Sequence, residues 1–362
     1  MLIAAAAPPT LLAPLAGRLA DRIDSRRLLV SVSLTEAAVC VGLAVASTYA
    51  PIVVILALVT LLGCGLAISG PVLSALVPEM VGRDSLAKAT ALGQTASSIG
   101  MLLAPALGGL LVGQFGPRVP LLVDAASYLA ITVAAILVRT RRGGRPGAAP
   151  QSAAGSRPFA VHRDALLRPV IIMIGAVVAA VSAVNVAEVF FVRGTLHATP
   201  MAYGLIGAVW TAAMLAGSWL VVRRSLGEGG LAVALLASLG GSCAAVLGVA
   251  TVTRFGWMVP LWVAGGLCNG AANVCAGALI ARRTPAAVRG RAFAVFGAVA
   301  SGASTVGYIL GGALLGIVSA RGVFALSGAA GLAVALAFAV PLLHATAQDR
   351  AAAEPQVALA RN

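Results

Sequence analysis

The chain has 362 residues, of which 60% are hydrophobic and only 10% are charged, and its mean hydropathy is +1.00. A water-soluble domain carries about 25% charged residues because its surface must face water. The composition therefore excludes a water-soluble globular protein and predicts one whose surface mostly faces lipid.

The apolar residues fall into blocks of about 18 to 25, the length that a helix needs to cross a hydrocarbon core of about 30 Å. The chain is therefore predicted to be an all-α polytopic membrane protein, a helical bundle of about eleven spans. In chain order the predicted spans are 2–16, 28–48, 52–76, 86–115, 120–138, 169–192, 201–222, 230–250, 257–280, 292–318 and 322–343.

The net charge of +14 comes from basic residues that are distributed unevenly between the predicted loops. Of the 25 lysine and arginine residues, all but Arg118, Arg193, Arg254 and Arg321 lie in alternate loops or in the C-terminal tail. Cytoplasmic loops carry such an excess. The pattern predicts a multi-pass protein of the cell inner (plasma) membrane with a cytoplasmic C-terminus. The basic excess thus indicates topology and not nucleic-acid binding.

One long polar segment, at 139–168, divides the chain, and its Gly, Pro, Ala and Arg content is typical of a linker. We predict an N-terminal half at 1–138, a cytoplasmic linker at 139–168, a C-terminal half at 169–344 and a tail at 345–362. The halves are weakly similar, since "SSIGMLLAPALGGLLVG" from Ser97 aligns with "STVGYILGGALLGIV" from Ser304. Such symmetry is typical of transporters built from parallel repeats. The second half has six spans and the first has five, so a further span is expected before Met1.

The loop after the first predicted span reads "GRLADRIDSRR" from Gly17 to Arg27. It resembles the G-x-L-a-D-R-x-G-R-R signature of the major facilitator superfamily, with Asp24 where the pattern has glycine. That departure, the stretch from Pro78 to Leu92 and the R-G-R at Arg289 are similar to the branch of macrolide-efflux proteins and enterobactin exporters. The resemblance implies helices 2–6 of the family fold in the first half, helices 7–12 in the second, and no helix 1.

The resemblance also implies that the loop latches the two halves on the cytoplasmic side and releases during alternating access. The latch residues would be Gly17, Asp21, Arg22, Arg26 and Arg27. The alternative is that these arginines only anchor the topology. In the second half the acid is replaced by Val221, so any latch is one-sided.

A second motif, from Gly100 to Gly109, resembles the G-x-x-x-G-P-x-x-G-G signature on helix 5 of drug–proton antiporters, with Ala104 replacing one glycine. The matching residues are Gly100, Pro105, Gly108 and Gly109. Pro105 removes one helical hydrogen bond, and the glycines permit close helix contact. The resemblance points to export, and the alternative is small-residue packing.

Ionisable groups at membrane depth are costly and are candidates for function. Glu188 shares a helical face with Asn185, and we predict that it binds protons or substrate. The alternatives for Glu188 are an interhelical hydrogen bond and exposure at the outer boundary. Glu36 lies near mid-depth, and Asp124 lies one turn inside its span, where a structural use is favoured.

Asn269 and Asn273 are spaced i, i+4 and form one polar face. The resemblance places helices 7 and 10 of the family fold on the central cavity. The two asparagines therefore either line that cavity or hydrogen-bond between helices.

The sequence thus predicts a secondary active transporter that exports amphipathic small molecules, such as drugs, macrolides or siderophores, by proton antiport. Its expected partners are the lipid bilayer, the substrate and protons, with no nucleic acid, and the chain is expected to be a monomer. The sequence lacks a Walker A motif and H-E-x-x-H, so no enzyme activity, cofactor or metal is expected. The alternative is an inactive, N-terminally truncated fragment, or a start codon set too late.

Overall fold

The structure is a computed structural model that describes residues 24–137, 164, 166–224, 226–285 and 289–359. Throughout these ranges the secondary structure is helical, and none of the described residues forms a strand. Within the described ranges, ten segments are long and apolar enough to cross a membrane. Each corresponds to one of the predicted spans from 28–48 onward, and the first predicted span, 2–16, lies outside the described residues. The prediction of a polytopic helical bundle is confirmed.

The residues group into two compact units. Unit 1 comprises the chain up to Pro150 together with Pro200–Gly204, and unit 2 comprises Gln151–Thr199 and Leu205–Asn362. In unit 1, helix α1 (Ser25–Tyr49) packs against α2 (Ile52–Phe115) and α3 (Arg118–Leu137). The core of unit 1 is formed by aliphatic side chains, namely Leu28, Leu29, Val32, Val72 and Ala135.

Helix α2 departs from the prediction. The spans at 52–76 and 86–115 were expected to be separated by a loop, but Ile52–Phe115 forms one helix of 64 residues. Its two apolar segments, Ile52–Gly70 and Thr95–Phe115, agree with the predicted spans. The intervening stretch is rich in Leu and Ala, which favour helix over loop. At 1.5 Å per residue the helix is about 96 Å long, roughly three times the hydrocarbon thickness.

The start of α1 explains the aspartate that departs from the loop signature. The side chain of Asp24 accepts a hydrogen bond of 3.1 Å from the backbone N–H of Arg27, so Asp24 is the N-cap of α1. Glycine in the general pattern cannot provide this bond, and a side-chain cap stabilises a helix start by about 1 kcal/mol. Asp24 therefore fixes the point at which the loop becomes helix.

Unit 2 contains six helices, and one of them changes geometry at its end. Helix α4 (Leu167–Val189) continues as a π-helical segment, Phe190–Thr195. The remaining helices are α5 (Pro200–Val222), α6 (Glu228–Val249), α7 (Phe255–Arg283), α8 (Arg289–Leu315) and α9 (Ala320–Leu359). The first residues of α5 belong to unit 1. The last helix extends through most of the predicted tail. Only its Ala320–His344 portion has membrane hydropathy.

Glycines bring two pairs of helices in unit 2 into close contact. A β-carbon at Gly266 would lie 2.7 Å from the carbonyl oxygen of Trp210, and one at Gly270 would overlap the carbonyl oxygen of Met214. Gly266 and Gly270 thus form a G-x-x-x-G face of α7 against α5. Gly307 and Gly311 make an equivalent face of α8 against α4, where an added β-carbon would lie 2.5–2.6 Å from backbone oxygens of α4.

An ionic cluster joins three helix ends of unit 2. The guanidinium of Arg283, at the end of α7, lies 2.8 Å from a carboxylate oxygen of Glu228 in the first turn of α6. It also lies 3.3 Å from Asp164. Asp164 in turn accepts hydrogen bonds from the backbone N–H groups of Leu166 and Leu167, at the start of α4. Because Arg283 and Asp164 are mostly buried, this cluster stabilises helix ends more than an exposed pair would.

Candidate functional site

The carboxylate of Glu188 is joined to an indole on a neighbouring helix. Glu188 lies at the end of α4, and the side chain of Trp262 on α7 lies within reach of its carboxylate, to which it can donate a hydrogen bond. Trp262 is only 4% exposed. A buried indole N–H needs an acceptor, and a carboxylate is a strong one. The contact therefore fixes the Glu188 carboxylate between two helices of unit 2.

Aromatic rings surround this contact. The Trp262 ring lies 5.4 Å from Trp210 on α5 and 5.9 Å from Phe324 on α9, and Phe324 lies 4.7 Å from Phe191. Phe191 and Phe324 are fully buried. Phe191 belongs to the π-helical segment that follows Glu188, and such segments are frequent at functional sites. The result is a single carboxylate at the edge of an aromatic cluster.

The polar residues predicted to accompany Glu188 lie in the same unit, but the described contacts do not join them to it. Asn185 is exposed one turn before Glu188, and its amide donates to the carbonyl of Ser182 at 3.3 Å. On α7, the amide of Asn273 donates to the side-chain oxygen of Asn269 at 3.1 Å. This bond lies within one helix, so the described contacts do not use these two side chains to join helices. Asn273 is exposed on the surface of unit 2.

In unit 1 the structure brings Glu36 and Asp124 together. Cys40 lies one turn after Glu36 on α1, and its thiol donates to the Asp124 carboxylate on α3 at 3.5 Å. Glu36, Cys40, Asp124 and Tyr128 all lie within electrostatic reach of one another. Glu36 is buried and Asp124 is exposed. The sequence named both carboxylates, but it gave no indication that they are neighbours.

The motif residues are placed unevenly. Gly17, Asp21 and Arg22 lie outside the described residues. Arg26 is half-buried and Arg27 is exposed in the first turn of α1. On α2, Pro105, Gly108 and Gly109 are half-buried and Gly100 is exposed. Among the described residues, a β-carbon added at Gly100 or Gly108 would meet no atom within 4 Å.

Sequence reasoning missed Trp262 and Cys40. A signal for Trp262 was available, because it lies seven residues before Asn269 and so on the same face of α7. A tryptophan at that depth also requires an acceptor for its N–H group. Cys40 belongs to no sequence motif that would indicate contact with a carboxylate. Cys243 and Cys275 do pack in the core of unit 2, whereas Cys40 contacts a carboxylate. None of the described His, Cys, Asp and Glu side chains form a group that could hold a metal ion.

The described residues contain ten apolar segments of membrane length, two of them within α2, as in a membrane-embedded, multi-span protein. The family model described as transmembrane secretion effector matches residues 1–361, and the chain belongs to this family. The predicted membership of the major facilitator superfamily is thereby confirmed. The chain is also similar to macrolide efflux protein A of Enterococcus faecalis, with 24% identity over 134 residues, which are 36% of this chain. The match spans 42% of that protein. Both findings support a transporter of the efflux type.

Proposed function

We propose that the chain exports amphipathic small molecules, of the macrolide or siderophore kind, by proton antiport with alternating access. Its membership of the secretion effector family over residues 1–361 carries the proposal of export. The partial similarity to a macrolide efflux protein supports an amphipathic substrate. The carboxylate of Glu188 suits such a substrate where it carries a cationic or hydrogen-bonding group.

Glu188 is the proposed coupling residue. Burying an ionised carboxylate is costly, and protonation removes that cost, so the protonation of Glu188 can be linked to which side of the membrane the site faces. The indole N–H of Trp262 lies beside the carboxylate and can donate a hydrogen bond to it. Proton binding breaks the charge-assisted part of this contact, which connects α4 to α7. The proton and the substrate then compete for the same polar group.

The proposal is tested with the purified chain in lipid vesicles and a radiolabelled macrolide. With an imposed pH gradient, acidic inside, we expect the macrolide to accumulate in vesicles whose proteins expose the cytoplasmic side outward. Accumulation should disappear when a protonophore collapses the gradient. Accumulation that persists without a gradient would contradict antiport, and no gradient-dependent accumulation of a macrolide or a siderophore would contradict the proposed substrate class.

The cytoplasmic latch belongs to the same proposal. Gly17, Asp21, Arg22, Arg26 and Arg27 would hold the halves together when the site faces outward. The cap from Asp24 to Arg27 supports this, because it fixes the helix start that carries Arg26 and Arg27. An aspartate at position 21 would find its partners at a helix N-terminus or on an arginine.

The proposed location is the plasma membrane, with the linker and the C-terminus in the cytoplasm. In variants with a single cysteine, an impermeant maleimide added to intact cells should label position 253, between α6 and α7. It should not label position 150 in the linker or position 83 within α2. The reason is the uneven distribution of lysine and arginine between the two sides. Labelling of position 150 from outside would reverse the orientation, and labelling of position 83 would place the middle of α2 outside the cell.

A further inference from the structure

Glu36 is a buried carboxylate that the proposed transport site does not use. Its side chain is 2% exposed, and its Oε1 atom is buried with no hydrogen-bond partner among the described residues. The carboxyl group lies against the backbone of α2 at Gly65, where an added β-carbon would be 2.6 Å from Oε1. An ionised carboxylate without a donor is strongly unfavourable in such surroundings. A proton bound to the Glu36 carboxylate would remove this unfavourable charge.

Asp124 provides the other half of the arrangement. It is exposed on α3, and its two carboxylate oxygens each lie 3.5 Å from a donor, one from the Cys40 thiol and the other from the Ser127 hydroxyl. Asp124 lies six residues, or about 9 Å, from the first residue of its helix. On α1, Cys40 contacts Asp124, and Glu36 lies one helical turn before Cys40. Cys40 thus connects Asp124, near the helix end, to the level of the buried carboxylate.

Among the described residues, few ionisable groups face Glu36 and Asp124. Helix α1 contributes Glu36 and Cys40, and α3 contributes Asp124 and Tyr128. Helix α2 contributes Gly65, and its apolar segment Ile52–Gly70 contains no acidic or basic residue. No cation among the described residues is therefore in a position to neutralise the pair from α2.

We propose that Glu36 and Asp124 form a second proton-binding site, in unit 1, in which the proton is bound at the buried carboxyl group of Glu36 and the neighbouring Asp124 carboxyl group influences its binding. A proton bound at Oε1 of Glu36 removes the charge of a buried group that has no described hydrogen-bond donor. The Cys40 thiol, one turn along α1, connects this position to Asp124. This site involves none of the residues proposed for substrate, so it stands independently of the role given to Glu188.

The test is infrared difference spectroscopy of the purified chain in lipid vesicles during a pH jump. We expect a carboxylic-acid C=O band that is lost in Glu36→Gln and retained in Glu188→Gln, which should lose a different band. Asp124→Asn should keep the Glu36 band but change the pH at which it half-titrates. A Glu36→Gln spectrum identical to that of the wild type would overturn the site. An unchanged midpoint in Asp124→Asn would overturn the part given to Asp124 in this site.

A pair of glycine variants keeps the test independent of the carboxyl substitutions. Gly65→Ala places a methyl group against Oε1 of Glu36 and should shift the frequency or the midpoint of the Glu36 band. Gly42→Ala, on α1, adds a methyl group at an ordinary 3.8 Å from the nearest side-chain atoms and should leave the band unchanged. A Gly65→Ala band that matches the wild type would show that the carboxyl group is not seated on α2. Loss of macrolide transport in Glu188→Gln, with the Glu36 band intact, bears only on the proposed transport site.

Discussion

Gly270→Ala should destabilise unit 2 more than any other single methyl group added to α7. The new β-carbon would overlap the carbonyl oxygen of Met214, so α5 and α7 would have to separate. The hydroxyl of Ser218, which now donates to the carbonyls of both Met214 and Gly270, would lose its bond across the helices. Forcing extra volume into a close contact costs about 1–3 kcal/mol, and more where backbone must move. The thermal unfolding midpoint in detergent should fall clearly below that of the wild type.

Gly277→Ala is the matched control on the same helix. A β-carbon at Gly277 meets no atom within 4 Å among the described residues. Alanine is the better helix former by about 1 kcal/mol, so this variant should be at least as stable as the wild type. If Gly270→Ala unfolds at the same temperature as Gly277→Ala, the close contact between α5 and α7 is not present in the folded protein.

The second large effect is expected in Glu188→Gln. Glutamine has nearly the volume of the protonated acid but cannot release a proton, so the variant should lose accumulation driven by a pH gradient. Exchange of internal for external macrolide requires no net proton movement and should remain. The measurement compares gradient-driven uptake with exchange in the same vesicles. If the variant still concentrates macrolide, Glu188 is a packing residue. If exchange is lost as well, the residue contacts substrate or supports the fold, and the coupling role fails.

Two tryptophan variants separate the hydrogen bond from the ring. Trp262→Phe keeps an aromatic ring beside Phe324 but removes the indole N–H group that lies beside the Glu188 carboxylate. Its transport should therefore change its dependence on pH while macrolide exchange continues. Trp219 is 55% exposed and lies against Arg223, so Trp219→Phe should leave that dependence unchanged.

The helices of this chain could be predicted from hydropathy because each must supply a lipid-length apolar segment. The connections between them could not. The stretch from Pro71 to Gln94 contains prolines and charges, which indicate a loop, yet it is helical within α2. Local helix propensity prevailed there over the breaks that the sequence contains. The N-cap at Asp24 was present in the sequence, but it was interpreted only as a departure from the family signature.

The candidate site was predictable residue by residue, because a carboxylate in an apolar helix is conspicuous. Its neighbours were not, since contacts such as Trp262 to Glu188 and Cys40 to Asp124 depend on which helices pack together. The internal repeat was also an imperfect guide to packing. Gly100 aligns with Gly307, but an added β-carbon at Gly307 would meet α4 at 2.5 Å, while one at Gly100 would meet no described atom. Equivalent sequence positions therefore differ in environment.

Proton movement driven by a macrolide gradient tests the central claim most directly. Vesicles that contain the purified chain and a pH-sensitive dye are loaded with macrolide and diluted into medium without it, with no imposed pH gradient. If export is coupled to protons, the outward flow of macrolide must draw protons inward, and the lumen should acidify in the wild type but not in Glu188→Gln. Because coupling between two ligands is reciprocal, this effect must accompany gradient-driven accumulation. Macrolide efflux at the wild-type rate with no change in lumenal pH would contradict proton antiport.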